Sequence, residues 1–177
     1  MRRPVRLALV LVLPIALAAC ADEDAAVCPG EPVATFHFAG TKVAAGDPAL
    51  DPAPDVPDCT DDLGFPAAIA FQGTLAADPA SSAGTLCRAQ GPVLFGTRAG
   101  DHFAVETSTD GAVLGEQCAP TCSAGLSLLV TGDVVRVDGA AASFSGLLVE
   151  VMSAAAGSAC GACALPCAAR YALEGTP

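Results

Sequence analysis

Cys160-Gly-Ala-Cys163 is the sharpest chemical spacing in the chain. Two cysteines so spaced can exchange electrons as a thiol–disulfide pair when a helix N-terminus lowers one thiol pKa. They can also supply half of a four-ligand zinc site, which Cys118 and Cys122 could complete. With Cys28, Cys59, Cys87 and Cys167 the set becomes eight, an even number that reads as four disulfides in an oxidising compartment. No βαβ pattern accompanies the CxxC, and no cation follows it before Arg170. Structural bridges are therefore expected, with a redox pair at Cys160/Cys163 as the alternative. Eight cysteines permit about a hundred pairings, so spacing leaves the connectivity open. Joining Cys118/Cys122 to Cys160/Cys163/Cys167 would tie together the ends of the segment between them. Cys28, Cys59 and Cys87 fall near expected strand ends and bound an acidic stretch.

The acid–base inventory is thin. His37 and His102 are the two histidines, and both are expected on the outward face of a strand. Asp101 precedes His102, but neighbours on a strand point to opposite faces. No Gly-x-Ser-x-Gly elbow occurs. No catalytic residue, metal ligand or cofactor is expected. The stretch 41–66 carries Asp47-Pro48, Asp51-Pro52, Pro54-Asp55, Pro57-Asp58 and Asp61-Asp62. Repeated carboxylates could hold calcium, but EF-hand spacing is missing and proline interrupts most candidates. A long, solvated acidic loop is expected there, with a calcium-dependent module as the alternative.

Ahead of the eight cysteines stands a ninth. Arg2, Arg3 and Arg6 precede an eleven-residue apolar run, Leu7 to Leu17, followed by Leu17-Ala18-Ala19-Cys20. The run is short of the roughly 20 residues a bilayer-crossing helix needs, and its flanks suit a secretory signal. In charge, apolar run, small residues and cysteine it resembles the bacterial lipoprotein leader with its lipobox. That resemblance implies cleavage between Ala19 and Cys20, diacylglycerol on the Cys20 sulfur, and acylation (palmitate) of the new amino terminus. More than one acyl chain would give lasting attachment to a lipid bilayer. Ala21 in place of Asp leans towards the outer membrane.

The elements that must position these groups are strands. Ala34, Phe36 and Phe38 alternate with Thr35 and His37; Ile69, Phe71 and Leu75 with Ala70, Gln72 and Thr74; Phe103 and Val105 with His102 and Ala104. Leu126, Leu128 and Val130 lead to Gly132-Asp133, a hairpin signal, after which Val135 and Val137 flank an outward Arg136. Phe144 to Met152 reads as a central strand with a bulge at Gly146, and Val93 to Phe95 as a short strand. Tyr171 and Leu173 close the series beside Arg170 and Glu174. Phe38-Ala-Gly-Thr, Phe71-Gln-Gly-Thr and Leu173-Glu-Gly-Thr echo one another, each read as a strand before a Gly-Thr turn. No helical stripe follows the leader. The expected fold is all-β, an antiparallel sandwich or barrel of about seven or eight short strands, stapled by disulfides.

Residues 1–19 then form a signal peptide, 20–32 a lipidated cysteine and acidic tether, and 33–177 one β-rich domain. After Cys20 the chain holds five basic residues against nineteen acidic ones, a balance of −14. Such a charge disfavours nucleic acid and anionic lipid surfaces. The expectation is a non-enzymatic binding, adhesion or structural domain in the cell envelope, with an envelope protein as partner.

Overall fold

The computed structural model describes residues 28–46, 51–113, 118, 122–161 and 163–177. The leader, Ala19 and Cys20 lie outside the described residues. Eight strands follow in chain order: β1 (Glu31–Val43), β2 (Ala68–Ala77), β3 (Ala83–Arg88), β4 (Val93–Ala99), β5 (His102–Val113), β6 (Ser123–Val137), β7 (Ala140–Ala154) and β8 (Cys167–Thr176). Each pairs antiparallel with the next, and β8 returns to β1 through Val43↔Arg170 to His37↔Thr176. The sheet is a closed up-and-down barrel. Closure leaves no unpaired sheet edge, so every strand has a neighbour on both sides.

Alternation decides which side chains fill the interior. Phe36 and Phe38 of β1, Leu75 of β2, Leu86 of β3, Leu94 of β4, Phe103 of β5, Leu128, Val130 and Val134 of β6, Phe144 and Leu148 of β7, and Tyr171 and Leu173 of β8 form one buried cluster. Phe38 stacks on Phe71 at 4.9 Å and meets Phe144 edge-on at 5.4 Å. Such bulk fits inside eight strands because glycines face it. A Cβ on Gly132 would lie 2.6 Å from Phe144 Cζ and 2.7 Å from Gly146 Cα, while one on Gly146 would overlap the Thr131 carbonyl oxygen. Gly132 and Gly146 are direct cross-strand partners, so the Phe144 ring occupies space that two side chains would otherwise fill.

The two ends of the barrel differ. Short turns close one end: Asp78–Ser82, Gly100–Asp101 and Asp138–Gly139. In the first, the Asp78 carboxylate accepts from Ala80 N–H and the Ser81 hydroxyl, which hold its pKa below the ordinary aspartate value. At the third, Asp138 and Gly139 have φ of 52° and 82°, the pairing that suits a tight hairpin with right-handed strand twist. The other end carries the long connections, 44–67 and 155–166 among them.

Several local expectations change. The hairpin falls at Asp138-Gly139, not Gly132-Asp133, because Gly132 is needed flat beneath Phe144 and β6 continues past it. The register shift lies at Val135/Arg136 rather than at Gly146. Beyond that shift Val135 and Val137 are exposed, and Arg136 bonds the Asp101 carboxylate at 2.8 Å. The Gly-Thr pairs lie inside β1, β2 and β8, three adjacent strands, and make no turns. The tether ends by Cys28, short of residue 32: Cys28 bonds Cys87 on β3, the Pro29 carbonyl accepts from Thr85 Oγ1, and β1 begins at Glu31. The 41–66 loop likewise starts later, at residue 44.

Replacing Gly146 by Ala should lower the free energy of unfolding by about 2 kcal/mol, the usual scale of overpacking. Gly161→Ala, where a Cβ would meet nothing within 4 Å, should leave it unchanged. Urea titration with the disulfides intact measures both.

Candidate binding trough on the barrel wall

The site grows from one outward side chain on β8. Arg170 alternates with inward Tyr171 and would be solvated on a bare barrel, yet it is 1% exposed. Its guanidinium donates from Nε to Asp51 Oδ2 at 2.5 Å and from Nη1 to Asp58 Oδ1 at 2.7 Å. Nη2 donates to the carbonyls of Ala53 and Val56 at 2.8 and 2.7 Å. Proline supplies the reason those carbonyls are available. Pro52, Pro54 and Pro57 lack N–H groups, and Val56 N–H bonds the Ala53 carbonyl in a turn, so the segment curls around the guanidinium with few donors of its own to satisfy. Cys59 N–H to the Ala168 carbonyl, Ala168 N–H to the Pro57 carbonyl and the Cys59–Cys167 disulfide complete the attachment. The acidic segment is thus an exposed loop, as expected, but one pinned to the wall as a strap through Asp51, Asp58 and Cys59. The buried charge of Arg170 and of Asp51 is tolerated because two carboxylates and two carbonyls take four of the five guanidinium N–H groups.

The strap's edge, Asp51 and Pro52, forms one bank of two adjoining hollows. One, about 490 Å³, has Val43, Leu147, Ala172, His102, Thr131 and Asp133 among its lining residues. The other, about 450 Å³, is lined by Phe95, Ala104, Glu106 and Leu129, and shares Asp51 and Thr131 with the first. Together they make a trough across β4 to β8. Phe95 projects into it and is 55% exposed.

At its centre is a relay of polar groups. Asp133 Oδ1 lies 3.1 Å from His102 Nδ1, and His102 Nε2 lies 3.2 Å from Thr131 Oγ1. Carboxylate, imidazole and hydroxyl stand in the order used for acyl transfer. The setting differs from such a site. His102 and Asp133 are partners across the β5–β6 ladder, and β6 pairs on both sides at Thr131, with Ala104 and Leu147. The sheet therefore engages the local backbone N–H groups, which would otherwise cradle an oxyanion. What the array offers is recognition: one hydroxyl and one imidazole, oriented by a carboxylate, on an apolar floor.

The remaining sequence candidates are dispersed. His102 faces outward as expected, but Asp133 is its partner, while Asp101 turns to Arg136 and Arg98. His37 lies exposed on β1. Cys160 bonds Cys122 and Cys163 bonds Cys118, so the CxxC is split between two bridges that join the clusters. Asp51 and Asp58 face Arg170, and Asp61 pairs with Lys42 at 3.2 Å; these carboxylates, expected as possible calcium ligands, answer cations of the chain itself. Among the described residues no cluster of His, Cys, Asp and Glu suits a metal ion. Sequence reasoning did not single out Arg170, Thr131 or Asp133. Comparison of the chain with protein-family models, curated proteins and solved structures finds no match.

Two outcomes are expected. Arg170→Met should destabilise the fold by about 3–5 kcal/mol, since Asp51 is left buried without its cation. Limited proteolysis should then cut first within 51–58. Peptide mass spectrometry without reduction should recover Cys28–Cys87, Cys59–Cys167, Cys118–Cys163 and Cys122–Cys160, with no free thiol among the eight.

Proposed function

We propose that the chain is a non-enzymatic binding domain displayed at the cell envelope. Lipid on Cys20 holds it to a membrane, the outer rather than the inner one, and the trough beside the strap is where an envelope protein docks. The observation that carries this reading is the make-up of the trough, an apolar floor with a projecting Phe95 and a central array of hydrogen-bonding groups. Isolated exposed apolar residues mean little, but a lined concavity with an aromatic anchor has the form of a protein contact. A closed barrel offers no edge for strand addition, so recognition runs through side chains. Lys42, Arg98, Arg136 and Arg170 each pair with an aspartate of the same chain. Asp133 and Glu106 line the trough, so the partner is expected to present basic and apolar groups together. Eight cysteines joined in four bridges support an oxidising compartment.

The anchor and the trough are tested separately. Wild-type protein should follow the detergent phase on partition and Cys20→Ser the aqueous phase; equal partition overturns the anchor. Phe95→Ala combined with Leu147→Ser should reduce recovery of cross-linked envelope partners about tenfold, with an unchanged circular dichroism spectrum. Undiminished recovery overturns the trough as the docking surface.

A further inference from the structure

The barrel interior is not uniform along its axis. Towards the tight turns, Phe36, Phe103 and Phe144 fill it with rings. Towards the long connections, three polar side chains share the inward face: Arg88 on β3, Glu150 on β7 and Tyr171 on β8. Their parity fixes this, since Arg88 alternates with Leu86, Glu150 with Leu148 and Tyr171 with Leu173. Tyr171 is completely buried and its hydroxyl has no hydrogen-bond partner. Arg88 Nε is also buried and unpartnered, with the guanidinium 4.6 Å above the Phe71 ring. Leaving such donors dry is costly, about 1–3 kcal/mol each, whereas Phe and Leu at these positions would cost nothing of the kind. Leu63 and Phe65 pack over this end beside Met152 and the Cys59–Cys167 bridge.

We propose that this end of the barrel interior binds a short-chain aliphatic carboxylic acid, its carboxyl oxygens accepting from the Tyr171 hydroxyl and Arg88 Nε. Arg88 Nε can only donate and the Tyr171 hydroxyl can donate beside it, so a ligand bearing acceptors suits both, and the cationic donor favours a carboxyl group. Leu128, Leu148 and Ile69 belong to the surrounding core and suit an aliphatic tail. An eight-stranded barrel has room for one small ligand at most, which sets the size. Glu150 is the acid on this inward face. Burial pushes its carboxyl above the ordinary glutamate value, and the Arg88 charge opposes that rise. Burial, and then the Glu150 charge, likewise push the Tyr171 phenol up, keeping it a donor.

Sodium hexanoate is the probe, titrated against the oxidised full chain while the melting temperature is followed. A saturable rise is expected for the wild type. Tyr171→Phe and Arg88→Gln should each weaken the apparent affinity about tenfold, the effect of losing one hydrogen bond to a charged group. Using two variants keeps the test decisive if one fails to fold. Two results overturn the proposal: no saturable rise in the wild type, or an apparent affinity in both variants equal to that of the wild type.

Discussion

Arg170 is the point on which the outer surface turns. A single guanidinium, held in the ladder of β8, gathers two carboxylates and two carbonyls from a segment more than a hundred residues earlier in sequence. Five donors in a rigid fork make this possible; a lysine would present one point charge to four acceptors set around it by a turn. With the strap in place, Asp51 and Pro52 stand over the wall and convert a flat sheet face into a trough. Remove the clamp and the same residues of β4 to β8 would form an ordinary barrel exterior. The concavity is thus a product of charge pairing, while the barrel beneath it is a product of apolar burial.

The barrel itself rests on a steric bargain between rings and glycines. Phe38, Phe71, Phe103 and Phe144 are too large to share a narrow interior unless some inward positions have no side chain. Gly73, Gly84, Gly132, Gly146 and Gly175 are those positions, each with a Phe or Leu side-chain atom at or near contact distance from where a Cβ would stand. This explains why glycine interrupts almost every apolar run without ending the strand. It also explains why glycine misleads as a turn signal here.

Period-two alternation made the interior legible. Phe36/Phe38, Ile69/Phe71/Leu75, Phe103/Val105 and Tyr171/Leu173 all point as their spacing requires, and all-β architecture follows from them. Barrel and sandwich share that alternation and differ only in whether β8 reaches β1, a pairing between chain ends that no local pattern records. The site was far less visible. Arg170 reads as solvated because its burial comes from a distant strap, not from its neighbours. His102 meets Asp133 through cross-strand register, which the sequence does not state, and Asp133 itself looks like half of a turn. Proline and aspartate in 51–58 suggest exposure because each residue alone favours it, and most of them are exposed; the fit of Asp51 and Asp58 to one guanidinium is a tertiary fact.

The Cys28–Cys87 bridge has a mechanical consequence. Chain leaving the domain on its amino-terminal side departs from a sulfur on β3, ahead of the turn at Gly30 that leads into β1. Tension applied there would pass covalently into the end of β3 through Cys87. It would not peel β1 from β2 and β8 one hydrogen bond at a time, although β1 is the strand that seals the barrel. The path of such a force and the closing seam are therefore separate.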